Sequence, residues 1–214
     1  MIDIRKDLIS SSAHFYHLGL MRGTAGNLSA KKNIDTFWIT ASGKNKGSLD
    51  LNDFVLLDLD GNIVENPDFK NRPSAESSIH QVIYRLFPQA CACYHVHSVE
   101  ATLVSRLTRG DSLMLPPIEM LKGLGIWQEK PNISLALFEN LLSLPTLAQS
   151  IAERFKDSLP QVPALLIKDH GVTVWADSTQ SALTYIEVIE FIFRYILLEA
   201  QTPSLFPRSD QVQM

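Results

Sequence analysis

Apolar residues recur along this chain with two different periods, and each change of period marks an element. Ile4, Leu8, Ile9, Phe15 and Leu18 share one face of a first helix that ends near Gly19. Short runs rich in aromatic and β-branched residues follow, Thr36 to Ala41 and Phe54 to Leu59, the second turning at Asp60-Gly61-Asn62. Helical spacing resumes from about Ala75 to Leu86, with Ser74 as its expected cap and no Glu or Gln for a reciprocal capping box. Ala90 to Val96 reads as a strand after Pro88, and a helix begins near Ser98 with Glu100 in its first turn. Pro116-Pro117 opens a segment that carries Glu119 and ends around Gly123 to Gly125, and Pro145 starts a helix through Phe155. Ala164 to Ile167 is a buried-strand run, paired with Val172 to Trp175 across a tight turn at Asp169-His170-Gly171. A last helix carries Ala182, Ile186, Ile189, Phe193 and Ile196 on one stripe.

These elements predict an α/β fold: one layered domain over residues 1–201, with a mainly antiparallel central β-sheet flanked by helices. Residues 202–214 are polar with two prolines and are expected to form a flexible tail. The 214 residues are 45% hydrophobic and 20% charged, enough for one sizeable core. A net charge of -4 offers no basic face, so no nucleic-acid partner is expected, while a local cluster of donors still suits a small anion. The N-terminus lacks an apolar stretch of signal-peptide type, and Glu190 and Arg194 interrupt the most apolar late segment, so neither export nor a membrane partner is expected. The two cysteines, Cys91 and Cys93, sit two apart on one strand and suit a reducing, cytoplasmic compartment.

The candidate chemistry centres on His95-Val96-His97. Two imidazoles two residues apart on a strand share a face, with Cα atoms roughly 7 Å apart, and can converge on one ion. A pair of ordinary histidines at a strand end satisfies the same pattern. His170, at the end of an apolar strand and beside Gly171, is the best third ligand for a zinc-type site with an open position, although a hydrogen-bonded turn residue reads the same way. A four-ligand Cys-x-Cys-x-His-x-His site fails on reach, because residues 91 to 97 span roughly 20 Å when extended. Both cysteines are therefore expected in the core. His14, His17 and His80 fall on helices and attract less attention.

Gly26-Asn27-Leu28-Ser29, Ala41-Ser42-Gly43-Lys44-Asn45 and Pro73-Ser74-Ala75-Glu76 are short turns at element boundaries. Their backbone N–H groups, hydroxyls and a helix start suit a phosphate, though each alone is often just a turn. Glu76 and Glu119 are the carboxylates to watch. Glu119 precedes the apolar Met120-Leu121, and a carboxylate in apolar company can act as a base near neutrality; a solvated helix face is the other reading of both.

Ala25-Gly26-Asn27-Leu28-Ser29, Thr40 to Lys44, Pro73 to Glu76, His95 to Ser98 and Asp169 to Gly171 occur in the order of the class II aldolase/adducin superfamily. The resemblance runs from about Ile4 to Ala200. Glu119 to Trp127, followed by Phe138-Glu139-Asn140, is similar to its bacterial methylthioribulose-1-phosphate dehydratase branch. The resemblance implies one zinc per subunit on His95, His97 and His170, and a phosphate cradle of Gly26, Asn27, Ser42, Gly43 and Ser74. It implies a lyase of methionine salvage that dehydrates 5-methylthioribulose 1-phosphate to 5-methylthio-2,3-dioxopentyl phosphate through a metal-stabilised enediolate. The superfamily's aldolases keep their catalytic glutamate at the position of Glu76 and its dehydratases at that of Glu119; this chain has both. Ala25 departs from the Ser or Thr of many relatives. Leu121, Leu124 and Trp127 are candidates for a methylthio pocket. A homotetramer with sites near subunit interfaces is expected. The rival readings are a class II sugar-phosphate aldolase, a pentulose-phosphate 4-epimerase, and a metal-free adducin-like interaction module.

Overall fold

The computed structural model describes residues 3–202, so residues 203–214 of the expected tail lie outside the described residues. Nine strands form one sheet: β1 (Asn27–Lys31), β2 (Thr36–Thr40), β3 (Phe54–Asp58), β4 (Ile63–Glu65), β5 (Ala92–Val96), β6 (Ser112–Met114), β7 (Ser134–Phe138), β8 (Ala164–Ile167) and β9 (Gly171–Ala176). Their order is β4-β3-β2-β1-β5-β9-β8-β7-β6. Neighbours are antiparallel except β7 and β8, which pair in parallel. A parallel pair needs a long crossover, and the helix Leu144–Asp157 supplies it.

The helices are α1 (Arg5–His17), α2 (Ser77–Leu86), α3 (Val99–Leu107), α4 (Leu144–Asp157) and α5 (Thr179–Gln201), with a 3-10 segment at Glu119–Leu124. Alternation along the strands sends side chains to two cores. Tyr94, Val96, Leu166 and Val174 pack with Leu8, Phe15, Val104 and Ile189 on one side. Cys93, Leu165, Ile167 and Trp175 pack with Ile79, Ile83, Ile151 and Phe155 on the other. The sheet is thus covered by α1, α3 and α5 on one face and by α2 and α4 on the opposite face, the layered α/β arrangement expected. Among the described residues no helix is long and apolar enough to cross a membrane.

Three local expectations need correction. Helix α2 begins at Ser77 with Glu76 in the N-cap position and no side-chain cap. Ser74 Oγ instead accepts from the Glu76 N–H at 3.3 Å. Cys91 is exposed and only Cys93 is in the core, because β5 starts one residue after Cys91. The Gly26 to Ser29 turn is in fact the entry to β1, whose Asn-Leu-Ser-Ala-Lys sequence lacks the β-branched residues that signal a strand.

Candidate metal centre

Strand β5 places His95 opposite Thr173 of β9 and Asn27 of β1. His97 lies just past the strand end, held by its N–H to Leu20 O at 2.9 Å. His170 arrives from the β8–β9 turn. Asp169 takes a left-handed conformation there (φ 53); its N–H bonds Ser105 Oγ at 2.8 Å. Gly171 is obligatory, since a Cβ would sit 2.2 Å from Val96 O. Gly26 is under similar constraint, with φ +74 and a would-be Cβ 2.8 Å from His95 O. The close approach of these two turns to β5 is what gathers the side chains.

The Nε2 atoms of the three imidazoles form a small triangle: His95 to His97 at 2.8 Å, His97 to His170 at 3.0 Å and His95 to His170 at 3.4 Å. Glu76 reaches in from the start of α2, with Oε1 2.9 Å from His170 Nε2 and Oε2 3.5 Å from His95 Nε2. One ligand atom from each of these four residues lies within 4.8 Å of all the others. Burial pushes His95 down to about 4 and His97 down to about 3, so both present lone pairs at neutral pH. For Glu76, burial works against ionisation, but the surrounding imidazoles, His95 first, and the bond to His170 hold its carboxyl well below the usual range. Three imidazoles and one carboxylate, converging from rigid strand and helix ends, are the donor set that fits a tetrahedral divalent ion.

The three expected phosphate turns meet beside this group. A cavity of about 390 Å³ is lined by Gly26, Asn27, Ser42, Gly43 and Ser74 together with Glu76, His97 and His170. A bridge between Ala41 and Pro73 and the Ser42 N–H to Arg72 O bond at 2.9 Å bring the second and third turns together. The Asn27 side chain is committed elsewhere, its amide nitrogen to Glu76 and its oxygen to His80. A second cavity of about 440 Å³ opens on the other side of His97 and His170, where it meets Arg22, Thr102 and Asn140.

Two residues of the site were missed by sequence reading. Lys46 lines the cavity between these turns yet is only 2% exposed. Its Nζ donates to Thr24 O and Lys44 O, both at 3.0 Å, and burial lowers it to about 8. The signal was a second lysine in the glycine-bounded Ser42 to Gly47 segment. His80, set aside as a helix residue, is fully buried and bonds the Asn27 that contacts Glu76.

Other expected residues stay apart. Glu119 is not in apolar company: its side chain is 82% exposed and pairs with Lys122 at 2.7 Å. It lines neither cavity. Leu121 and Leu124 are buried in the core under α5 and Trp127 is exposed, so none of the three lines a pocket beside the histidines in a single chain. His14 and His17 are exposed on α1.

Comparison with known proteins agrees with this geometry. The family described as Class II Aldolase and Adducin N-terminal domain matches residues 6–197. A methylthioribulose-1-phosphate dehydratase of Microcystis aeruginosa is 57% identical over 201 residues, covering 94% of this chain and 98% of that protein. One of Leptospira biflexa is 39% identical, over 91% of this chain and 96% of its own. Among solved structures, YgbL of Escherichia coli superposes with a TM-score of 0.79 at 24% identity, covering 93% of this chain and 90% of that one. L-fuculose-1-phosphate aldolase of Thermus thermophilus superposes with 0.72 at 24%, covering 92% and 95%; both share the fold. The metal-type donor set, the adjoining cavity and these matches agree: the chain belongs to the class II aldolase and adducin family, among its methylthioribulose-1-phosphate dehydratases.

Proposed function

We propose that this chain is a zinc-dependent hydro-lyase of methionine salvage that converts 5-methylthioribulose 1-phosphate to 5-methylthio-2,3-dioxopentyl phosphate and water. The observation that carries it is the convergence of His95, His97, His170 and Glu76 on one point beside a phosphate-sized cradle, in a chain so similar to dehydratases of that name. A metal-free interaction module has no use for three imidazole nitrogens held 2.8 to 3.4 Å apart.

His95, His97 and His170 would hold one zinc per subunit. Bound there, the ion supplies Lewis-acid polarisation of the C2 carbonyl and so acidifies the C3 proton. The cradle of Gly26, Asn27, Ser42, Gly43 and Ser74 holds the phosphate, a part of the substrate that does not react, and thereby fixes the carbon chain. The Lys46 ammonium adds the cationic charge that the cradle otherwise lacks.

The C3 proton goes to a carboxylate base. Glu76 is poorly suited: both of its oxygens are engaged, and the lowering of its pKa makes its carboxylate a weak base. It would serve as fixed negative charge beside the three imidazoles that would hold the ion. Glu119, exposed and paired with Lys122, is the proposed base. It acts from a neighbouring subunit of a homotetramer, since it lines neither cavity of its own chain. Loss of the C4 hydroxyl as water leaves an enol at C3, and its ketonisation gives the diketone. The expected setting is the cytoplasm. The test is whether zinc-loaded protein given this sugar phosphate releases water and chelator-treated protein does not.

A further inference from the structure

Behind the cradle, α2 and β1 face each other through a polar ladder in an otherwise apolar layer. His80 and Tyr84 are one helical turn apart on α2, and Asn27 and Ser29 are two apart on β1. The rises match, about 6 Å for four helical residues and about 6.8 Å for two strand residues, so the pairs meet rung to rung. All four are essentially excluded from water: Asn27 is 3% exposed, Ser29 0%, His80 0% and Tyr84 1%.

The chemistry of the ladder's outer end fixes its direction throughout. An ionised Glu76 only accepts, so Asn27 must turn its amide nitrogen toward Oε2. That turns the Asn27 carbonyl oxygen toward His80 Nε2, which must then carry the proton. His80 Nδ1 is left as an acceptor for the Ser29 hydroxyl at 2.7 Å. Ser29 Oγ in turn accepts from the Tyr84 hydroxyl at 2.7 Å. Each member donates toward the site, and each buried polar atom in the run finds a partner. Reversing one member, for instance flipping the Asn27 amide, would set a carbonyl oxygen against the Glu76 carboxylate.

We propose that His80 is a positioning residue: by fixing the orientation of the Asn27 amide, it holds the Glu76 carboxylate in place against the three imidazoles. It touches neither ligand atoms nor cavity, and it acts through Asn27. The inference rests on the metal-centre reading of the Glu76 group.

The first test uses the full-length wild-type protein. Imidazole 15N resonances at pH 7 are expected to report His80 as the neutral Nε2–H tautomer, and an Nδ1–H ring would overturn the proposal. The second is a zinc titration of the apoprotein. His80→Phe keeps the ring volume but gives Asn27 no donor, and is expected to weaken zinc by about tenfold or more, the usual scale for losing an outer partner of a metal site. His80→Gln, which returns an N–H at the Nε2 position, is expected to recover most of that loss. Combining His80→Phe with Asn27→Ala is expected to cost no more than Asn27→Ala alone, because both act through one bond. A folded His80→Phe protein with wild-type zinc affinity, or full additivity with Asn27→Ala, would overturn the proposal. Wild-type protein that binds no zinc would instead overturn the metal reading, leaving the ring tautomer to decide the ladder by itself.

Discussion

Thr173 Oγ1 lies 2.9 Å from His95 Nδ1, across the β5–β9 register that sets the two residues side by side. With the Nε2 lone pair facing His97 and His170, Nδ1 carries the proton and donates to the threonine. The neighbouring strand therefore fixes both the ring angle and the tautomer of the most buried of the three clustered imidazoles. Thr173→Val keeps the shape and removes the acceptor. It is expected to weaken zinc binding by roughly ten-fold or more while the protein remains folded, as measured by chelator competition alongside a thermal melt. Unchanged affinity would mean that packing alone orients His95.

Lys46 is expected to act on substrate binding more than on the chemical step. Its stem is buried and its Nζ is tied to two carbonyls, leaving one N–H for the cavity. Lys46→Met preserves the stem. Loss of a charge-assisted bond costs about 1.5 to 3 kcal/mol, so KM should rise at least ~10-fold with a smaller change in kcat. Because burial lowers this ammonium to about 8, wild-type KM should also climb as pH passes through about 8 and the charge is lost. A KM flat across that range in the wild type, and unaltered in Lys46→Met, would remove Lys46 from the cradle.

Glu190 gives a stability prediction with a definite sign. It is buried on α5, with Oε1 lacking a partner among the described residues. Burial raises it from 4.5 to about 8, against a smaller opposing effect of the Ser98 hydroxyl and with Glu100 adding to the rise. Between those values the folded protein keeps a proton that the unfolded chain has released, so the contribution to stability falls as pH rises. Glu190→Gln removes that dependence. The variant should gain stability relative to wild type between about pH 5 and pH 8, measured by denaturant melts at both ends. An equal gap at the two pH values would contradict the buried-proton account.

The sequence made the histidines legible for a geometric reason. On a strand, period-two spacing puts His95 and His97 on one face, and the glycine after His170 announces a close approach, here to Val96 O. Glu76 was visible only as one of two carboxylates, since nothing in Pro73 to Glu76 tells that α2 starts two residues after Ala75 and turns the side chain into the imidazoles. His80 and Lys46 were passed over because a lone helical histidine and a lysine read as ordinary surface chemistry. Only the pairing of His80 with Tyr84, four apart on the buried face of α2, hinted otherwise. Strand β7, Ser-Leu-Ala-Leu-Phe, was missed because leucine and alanine favour helices as readily as the parallel strand it forms.

Glu119→Gln is expected to leave zinc binding intact and lower kcat by roughly 10²-fold or more, the range for a lost general base. If the carboxylate serves a neighbouring subunit, co-expressed Glu119→Gln and His97→Ala chains should regain activity that neither has alone. No recovery in mixed oligomers would put Glu119 at the site of its own chain, and full activity in Glu119→Gln would take the base role from it.

The fate of 5-methylthioribulose 1-phosphate in the presence of the zinc-loaded chain bears most directly on the whole account. Mass and NMR analysis of the product should show a single species lighter by one water, with carbonyls at C2 and C3 and a methylene at C4. Cleavage to dihydroxyacetone phosphate and methylthioacetaldehyde, or an epimer of unchanged mass, would contradict it.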